Sequence, residues 1–180
     1  MTKEISDIIE KIYKQRKTEL FVSGCQKKLI IIDRLLQRMN DSSLKIQKLP
    51  ALNEPAEEVI MEYESFQSQE YCVNYTTILK ANKLVNVYYL QHEFSVENID
   101  PNRIDATLDG FSDTPYCKSQ FRIEELIDSF LSQEGYRRLY ISDMEEVIPE
   151  IQMPANSLAG RQMTVENALF RDLLGFLHDD

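Results

Sequence analysis

Two runs of alternating residues in the middle of the chain predict neighbouring β-strands. In residues 71–79 and 84–96, aromatic and β-branched side chains recur at every second position. This period of two is typical of a strand with one buried face. Lys80–Lys83 between the runs predicts a tight turn, since Asn82 tolerates the left-handed conformation that such turns use. We therefore expect an antiparallel pair at the centre of the fold.

A third strand is predicted just before this pair. Val59, Met61 and Tyr63 alternate with mostly acidic residues, which suits a half-buried strand. A helix beginning at Pro55 is the competing interpretation of residues 55–66, because Glu and Met favour helices. With the strand interpretation, residues 57–96 form an antiparallel β-meander of about three strands.

The first 40 residues predict a pair of helices. Apolar positions recur there at the spacing of an amphipathic helix, at Ile5, Ile8, Ile9 and Ile12. Ser23 and Gln26 have capping-box spacing, which predicts that a second helix begins at Ser23 and runs to about Met39. Residues 1–40 carry nine Lys or Arg against five Asp or Glu, so we expect a basic helical hairpin.

Residues 119–180 predict mainly helices. An apolar stripe from Ile123 to Leu131 is followed by Gly135, which suits the end of a helix, and Thr164 is placed to begin a last helix. Strands grouped between helices are typical of the α+β class, and we expect the C-terminal helices to pack on one face of the sheet. The length of 180 residues fits a single α+β domain over residues 1–180.

The charge of the chain is strongly acidic and unevenly distributed. The net charge is −10, and the residues after position 40 carry eleven Lys or Arg against twenty-five Asp or Glu. Such a body repels nucleic-acid phosphates and anionic membranes and attracts basic proteins, although solubility alone also explains an acidic surface. No apolar run approaches the roughly 18 residues of a membrane span, and the N-terminus lacks the features of a signal peptide. We therefore expect a cytoplasmic protein.

Residues 97–118 predict a long acidic loop between the meander and the next helix. An EF-hand template fails there, because Tyr116 stands where the last coordinating Glu is required. A calcium site of another kind and simple turn formation are alternatives, but we favour an acidic recognition loop that presents carboxylates to Lys or Arg of a partner. The carboxylates in question belong to Asp100, Asp105, Asp109 and Asp113.

The sequence carries no motif of a known catalytic class. It has no nucleophile elbow, phosphate-binding glycine loop, dinucleotide fingerprint or zinc-protease motif. The three cysteines are odd in number and far apart, so they predict neither a disulfide framework nor a zinc knuckle. We therefore predict no enzymatic activity, no cofactor and no metal.

Together these features predict a small acidic protein-binding module of the inhibitor, immunity-protein or secretion-chaperone type, either monomeric or homodimeric. The loop aspartates would face a basic partner protein, with Tyr88 and Tyr116 as amphipathic contact residues. The main alternative is a Ca²⁺- or Mg²⁺-dependent enzyme or sensor that uses the aspartates of residues 100–113. A nucleic-acid mimic is a third possibility, although the carboxylates show no long regular spacing.

Overall fold

The computed structural model describes residues 1–39, 44–51, 53–100, 102, 108–153, 162–172 and 175. Helices and a mostly antiparallel sheet combine in it, which confirms the α+β class. The helices are α1 (Lys3–Ile9), which continues as a π-helical stretch (Glu10–Lys14), α2 (Thr18–Cys25), α3 (Ile30–Arg38), α4 (Lys118–Gln133), α5 (Ile141–Met144) and α6 (Val165–Phe170). The strands are β1 (Lys45–Lys48), β2 (Ala56–Glu62), β3 (Phe66–Gln67), β4 (Tyr71–Asn82), β5 (Val87–Asn98), β6 (Leu108–Ser112), β7 (Arg137–Leu139), β8 (Val147–Gln152) and β9 (Gln162–Thr164).

The predicted meander forms the centre of a seven-stranded sheet. Its strands β2, β4 and β5 are antiparallel neighbours, so the strand interpretation of residues 55–66 is confirmed. The sheet follows the order β1-β2-β4-β5-β6, with β3 beside β4 and β7 parallel to β5, and β8 and β9 pair separately. The prediction of about three strands was therefore too low. It missed β1, β3 and β6, because strands of two to five residues carry little periodicity of their own.

Both faces of the sheet are covered by helices over the part near β2, β7 and the β4–β5 turn. On one face, Leu79 and Leu90 pack with Ile127 of α4, and we call this the α4 face. On the opposite face, Val87 packs with Leu169 of α6, and we call this the α6 face. The prediction that the C-terminal helices share one face is wrong, because β5 is buried on both sides and each side needs its own apolar cover.

The predicted basic hairpin is instead a series of short helices. Ser23 lies inside α2, where its hydroxyl donates to the carbonyl of Leu20 (3.3 Å), so it caps no second helix. The next helix, α3, begins only at Ile30. The carboxylate of Glu57 in β2 accepts a hydrogen bond from the backbone N–H of Leu29 (2.7 Å) at that point. A residue from a distant strand thus marks the start of α3, which local spacing could not reveal.

Two further boundaries differ from the predictions. Strand β4 continues to Asn82, whose side-chain oxygen accepts hydrogen bonds from the N–H groups of Leu84 and Val85 (both 2.8 Å), so the turn follows the predicted one. The C-terminal third contains three strands besides its helices, so it is less helical than predicted. Gly135 does follow α4 with a φ of +80°, as expected for a helix end.

Candidate functional site

One end of the sheet extends past the buried core. Along β4 and β5, side chains on the α4 face are buried up to Thr77 and His92 and are partly exposed beyond them. We call residues 63–77, 91–100 and 108–117 the distal end. Antiparallel pairing of β3 with β4, β4 with β5 and β5 with β6 holds its strands together. A sheet normally buries its apolar face against another layer, so uncovered side chains at this end are candidates for binding.

Four apolar side chains form a row across the distal end on the α4 face. Phe66 pairs with Val73, Val73 with Val96, and Val96 with Leu108, each on the next strand. Directly paired residues have Cβ atoms about 5 Å apart, so the row is continuous. Its ends are well exposed, Phe66 at 56% and Leu108 at 63%. We call these four residues the apolar row.

An aromatic cluster lies beside the apolar row. Phe94 pairs with Gly110, and the ring of Tyr116 meets the ring of Phe94 edge-on at 4.7 Å between centroids. A Cβ at Gly110 would come within 2.7 Å of the Phe94 ring, so the glycine makes room for that ring. Near the other end of the row, the rings of Phe66 and Tyr71 are 6.2 Å apart. Aromatic surface therefore extends across the whole α4 face of the distal end.

The α6 face of the distal end is polar and holds a cavity of about 300 Å³ between β4, β5 and β6. Two cross-strand rows line it. The first contains Thr76, Glu93 and Phe111, and the second contains Asn74, Ser95 and Asp109. The two faces of one end of the sheet thus differ, one apolar and aromatic and the other acidic.

The distal end concentrates the negative charge of the chain. Its residues include no Lys or Arg. Among the described residues, neither Glu93 nor Asp109 forms an ion pair with a cationic side chain. The field over this end is therefore negative, and it attracts cations. The distal end carries seven carboxylates, which belong to Glu64, Glu70, Glu93, Glu97, Asp100, Asp109 and Asp113.

The aspartates predicted to form one loop occupy different environments. Residues 108–112, inside the predicted loop, are strand β6, which pairs with the edge of β5. Asp109 is exposed on that strand, whereas Asp100 accepts a hydrogen bond from the N–H of Asn102 (2.9 Å) in a turn. The carboxylate of Asp113 accepts from the N–H of Ile141 (2.9 Å), which ties it to α5. Asp105 lies outside the described residues.

The two tyrosines predicted as contact residues are placed very differently. Tyr116 is exposed in the distal end. Tyr88 is buried on the α4 face, where its hydroxyl donates to the carboxylate of Asp128 (2.8 Å). Its side chain therefore offers no surface to a partner in this structure. Strand alternation alone could not distinguish these two positions, since either face of a strand can be the buried one.

A buried polar network that the sequence did not reveal lies between the sheet and α4. His92 contacts the hydroxyl of Thr77 through Nδ1 (2.9 Å) and the carboxylate of Glu124 through Nε2 (2.7 Å). Glu124 and Asp128 both accept from the guanidinium of Arg138 (3.0 and 2.7 Å). These residues come from β4, β5, α4 and β7, so no local motif links them.

The order Thr77–His92–Glu124 is that of a hydrolytic triad, but its position argues for a structural role. Thr77 and His92 are each 0% exposed, so a substrate cannot reach the hydroxyl. Burial lowers the pKa of His92 below its ordinary value, although the hydrogen bond to Glu124 opposes this. A neutral imidazole that donates to Glu124 and accepts from Thr77 satisfies all three groups.

Metal binding and membrane insertion find no support in the described part of the chain. No group of three or more His, Cys, Asp or Glu side chains among these residues is arranged to hold a metal ion. In the same ranges, every helix is too short or too polar to cross a bilayer. The three cysteines are free, and Cys25 is packed in the core as a small apolar side chain.

Comparison with known proteins does not assign the chain to a class. No family model matches it, and no match was found among curated proteins or solved structures. The geometry of the distal end is therefore the basis for assigning a function.

Proposed function

We propose that this chain is a small acidic protein-binding module whose distal end occupies a basic surface of a partner protein, as inhibitors, immunity proteins and secretion chaperones do. The observation that carries the proposal is the apolar row Phe66–Val73–Val96–Leu108, exposed at its two ends on the α4 face, in an end of the sheet that also carries seven carboxylates. An interface needs apolar area to bury and charges to guide the partner, and the distal end offers both.

The apolar row supplies the binding free energy in this proposal. Burial of apolar surface stabilises a complex by about 25 cal/mol per Å², and aromatic side chains are frequent hot spots. Phe66, Tyr71 and Leu108 present such surface on β3, β4 and β6, and Tyr116 presents it in the segment that follows β6. Because the strand register fixes these side chains, little conformational entropy is lost when a partner covers them.

The carboxylates select the partner and accelerate its approach. A region with seven carboxylates and no Lys or Arg steers cationic surfaces towards it and repels anionic ones. Nucleic acids and anionic membranes are therefore disfavoured. Pairing of the distal ends of two copies would bring like charges together, so we assign the surface to a different, basic protein. Asp100, Asp109 and Tyr116 belong to this surface, whereas Asp113 and Tyr88 stabilise the module itself.

The first test concerns the charges outside the α6-face cavity. The basic partner is captured from native lysate, eluted in steps of rising salt, identified and purified. Its association rate is then measured against salt concentration for wild type and for Glu64→Gln with Glu97→Gln. We expect the double variant to associate about threefold more slowly at low salt and to show a weaker salt dependence, because two steering charges are lost.

A matched control removes two exposed carboxylates elsewhere, with Glu4→Gln and Glu19→Gln in α1 and α2. This control should keep the wild-type association rate, since both carboxylates lie outside the distal end. An equal effect of both double variants would mean that only the total charge matters. Unchanged association of the distal variant would remove the distal end from the proposal.

A further inference from the structure

The cavity on the α6 face is lined by both short and long side chains of β4, β5 and β6. Ser95 and Thr76 line it beside Glu93, Asp109 and Phe111. Glu93 is the direct cross-strand neighbour of Phe111, and Asp109 is that of Ser95. Glu93 and Asp109 are therefore diagonal neighbours on β5 and β6, with backbones about 7–8 Å apart. Two carboxylates thus border a space large enough for one side chain.

Phe111 adds an aromatic wall to this cavity. Its side chain is 64% exposed and lies on the same face as the two carboxylates. An aromatic ring attracts a cation that lies over its face within about 6 Å. The cavity therefore combines two carboxylates, a ring and small polar groups, and neither carboxylate has a cationic partner among the described residues.

The protein holds one of its own arginines with the same set of groups. The guanidinium of Arg138 contacts the carboxylates of Glu124 and Asp128 and lies 5.0 Å from the ring centroid of Tyr140. The guanidinium also donates to the carbonyl of Asp113 (2.8 Å), so two carboxylates, a ring and a carbonyl together hold it. The cavity on the α6 face presents two carboxylates and a ring to the outside, and no Lys or Arg of the described residues pairs with either carboxylate.

We propose that the cavity between β4, β5 and β6 receives one arginine side chain of the basic partner, with Glu93 and Asp109 at the guanidinium and Phe111 against its plane. Arginine fits better than lysine because a planar guanidinium donates to two carboxylates and stacks on a ring, whereas an ammonium is a compact, strongly hydrated charge. The inference rests on the proposed function, since it names the side chain that the partner supplies.

The test uses small probes and does not need the partner. Nα-acetyl-arginine methylamide, its lysine analogue and its citrulline analogue are titrated into the ¹⁵N-labelled full chain, and backbone amide shifts are recorded. Arginine should perturb the amides of Ser95, Asp109, Gly110 and Phe111, with an affinity at least about threefold higher than that of lysine. Citrulline, which has a similar shape but no charge, should leave these amides unperturbed.

Variants of the cavity make the test specific. Glu93→Gln with Asp109→Asn should weaken arginine binding about tenfold, and Phe111→Leu should weaken it about threefold by removing the ring. Glu4→Gln, which removes an exposed carboxylate of α1 outside the distal end, should bind like wild type. Overlay of the remaining amide peaks checks that each variant is folded, and Phe111→Leu tests the site independently of the carboxylates.

The results separate this inference from the proposed function. Equal binding of arginine and lysine, or shifts spread over all the distal carboxylates, would overturn the assignment of an arginine receptor. If that happens while Glu64→Gln with Glu97→Gln still slows partner association, the proposed function stands without the receptor. If the arginine probe binds as expected but Glu64→Gln with Glu97→Gln leaves the rate of partner association unchanged, the proposed function fails. The cavity is then an arginine site of another kind.

Discussion

At the scale of single residues, Arg138 makes the central contacts of the buried polar network next to the distal end. Its guanidinium is bound to Glu124 and Asp128, and it also donates to the carbonyl of Asp113 (2.8 Å). It therefore joins α4 and β7 to the end of β6. The neighbouring Arg137 is a natural comparison, because its side chain is 49% exposed whereas that of Arg138 is 8% exposed.

Replacement of these two arginines should have very different effects on stability. We expect Arg138→Ala to lower the free energy of unfolding by about 3–5 kcal/mol, because it leaves two partly buried carboxylates without a cation. Arg137→Ala should cost less than about 1 kcal/mol, since its contact with Asp143 is long (3.7 Å) and exposed. Urea unfolding of both variants measures the difference. Similar costs would show that the buried network does not stabilise the fold as described.

His92 gives the stability a predictable dependence on pH. Because burial lowers its pKa in the folded state, the unfolded chain takes up a proton at His92 below about pH 6.5 while the folded chain does not. Its contribution is therefore complete above that pH and is lost on acidification, by at most about 1.4 kcal/mol per pH unit. Urea unfolding at about pH 7.5 and at about pH 5.5 measures this effect. Between these two pH values, the free energy of unfolding should fall less for His92→Gln than for wild type. A wild type more stable at the lower pH would mean that an imidazolium forms against Glu124.

At the scale of elements, the sequence predicted the strands that are long and regular. The alternation in residues 71–79 and 84–96 located β4 and β5, and the weaker alternation near Val59 located β2. These strands are read from sequence because burial of one or both faces restricts their side chains. The same argument located α4, whose apolar stripe and following Gly135 mark its extent.

The last helix, α6, begins after Thr164 as predicted, but other short elements depend on partners distant in sequence and their prediction failed for that reason. β6 contains Gly110 and has apolar residues on both faces, so it shows no alternation, and only pairing with β5 makes it a strand. α3 begins where Glu57 of β2 accepts from Leu29, not at the capping-box spacing of Ser23. The candidate site was predicted in part: the sequence indicated acidic recognition near Asp109 and Tyr116. The apolar row and the cavity required the register of four strands.

At the scale of the whole molecule, the two ends of the sheet have different roles in this account. One end lies between two helical layers and forms the core around residues such as Leu79 and Val87. The other end carries seven carboxylates, no Lys or Arg and the uncovered apolar row. The first end anchors the strands that continue into the second, and the second adds seven negative charges without a Lys or Arg of its own.

The most direct test of the distal end as the binding surface is to truncate the apolar row and measure the dissociation constant of the complex with the purified basic partner. Phe66→Ser with Leu108→Ser should raise it at least about tenfold, mainly through faster dissociation, because interface anchors are lost while the steering charges are kept. The control is Leu20→Ser with Ile30→Ser, which removes two exposed apolar side chains of α2 and α3 and should leave the affinity unchanged. Unchanged affinity of the row variant, or an equal loss in the control, would contradict the assignment of the distal end as the binding surface.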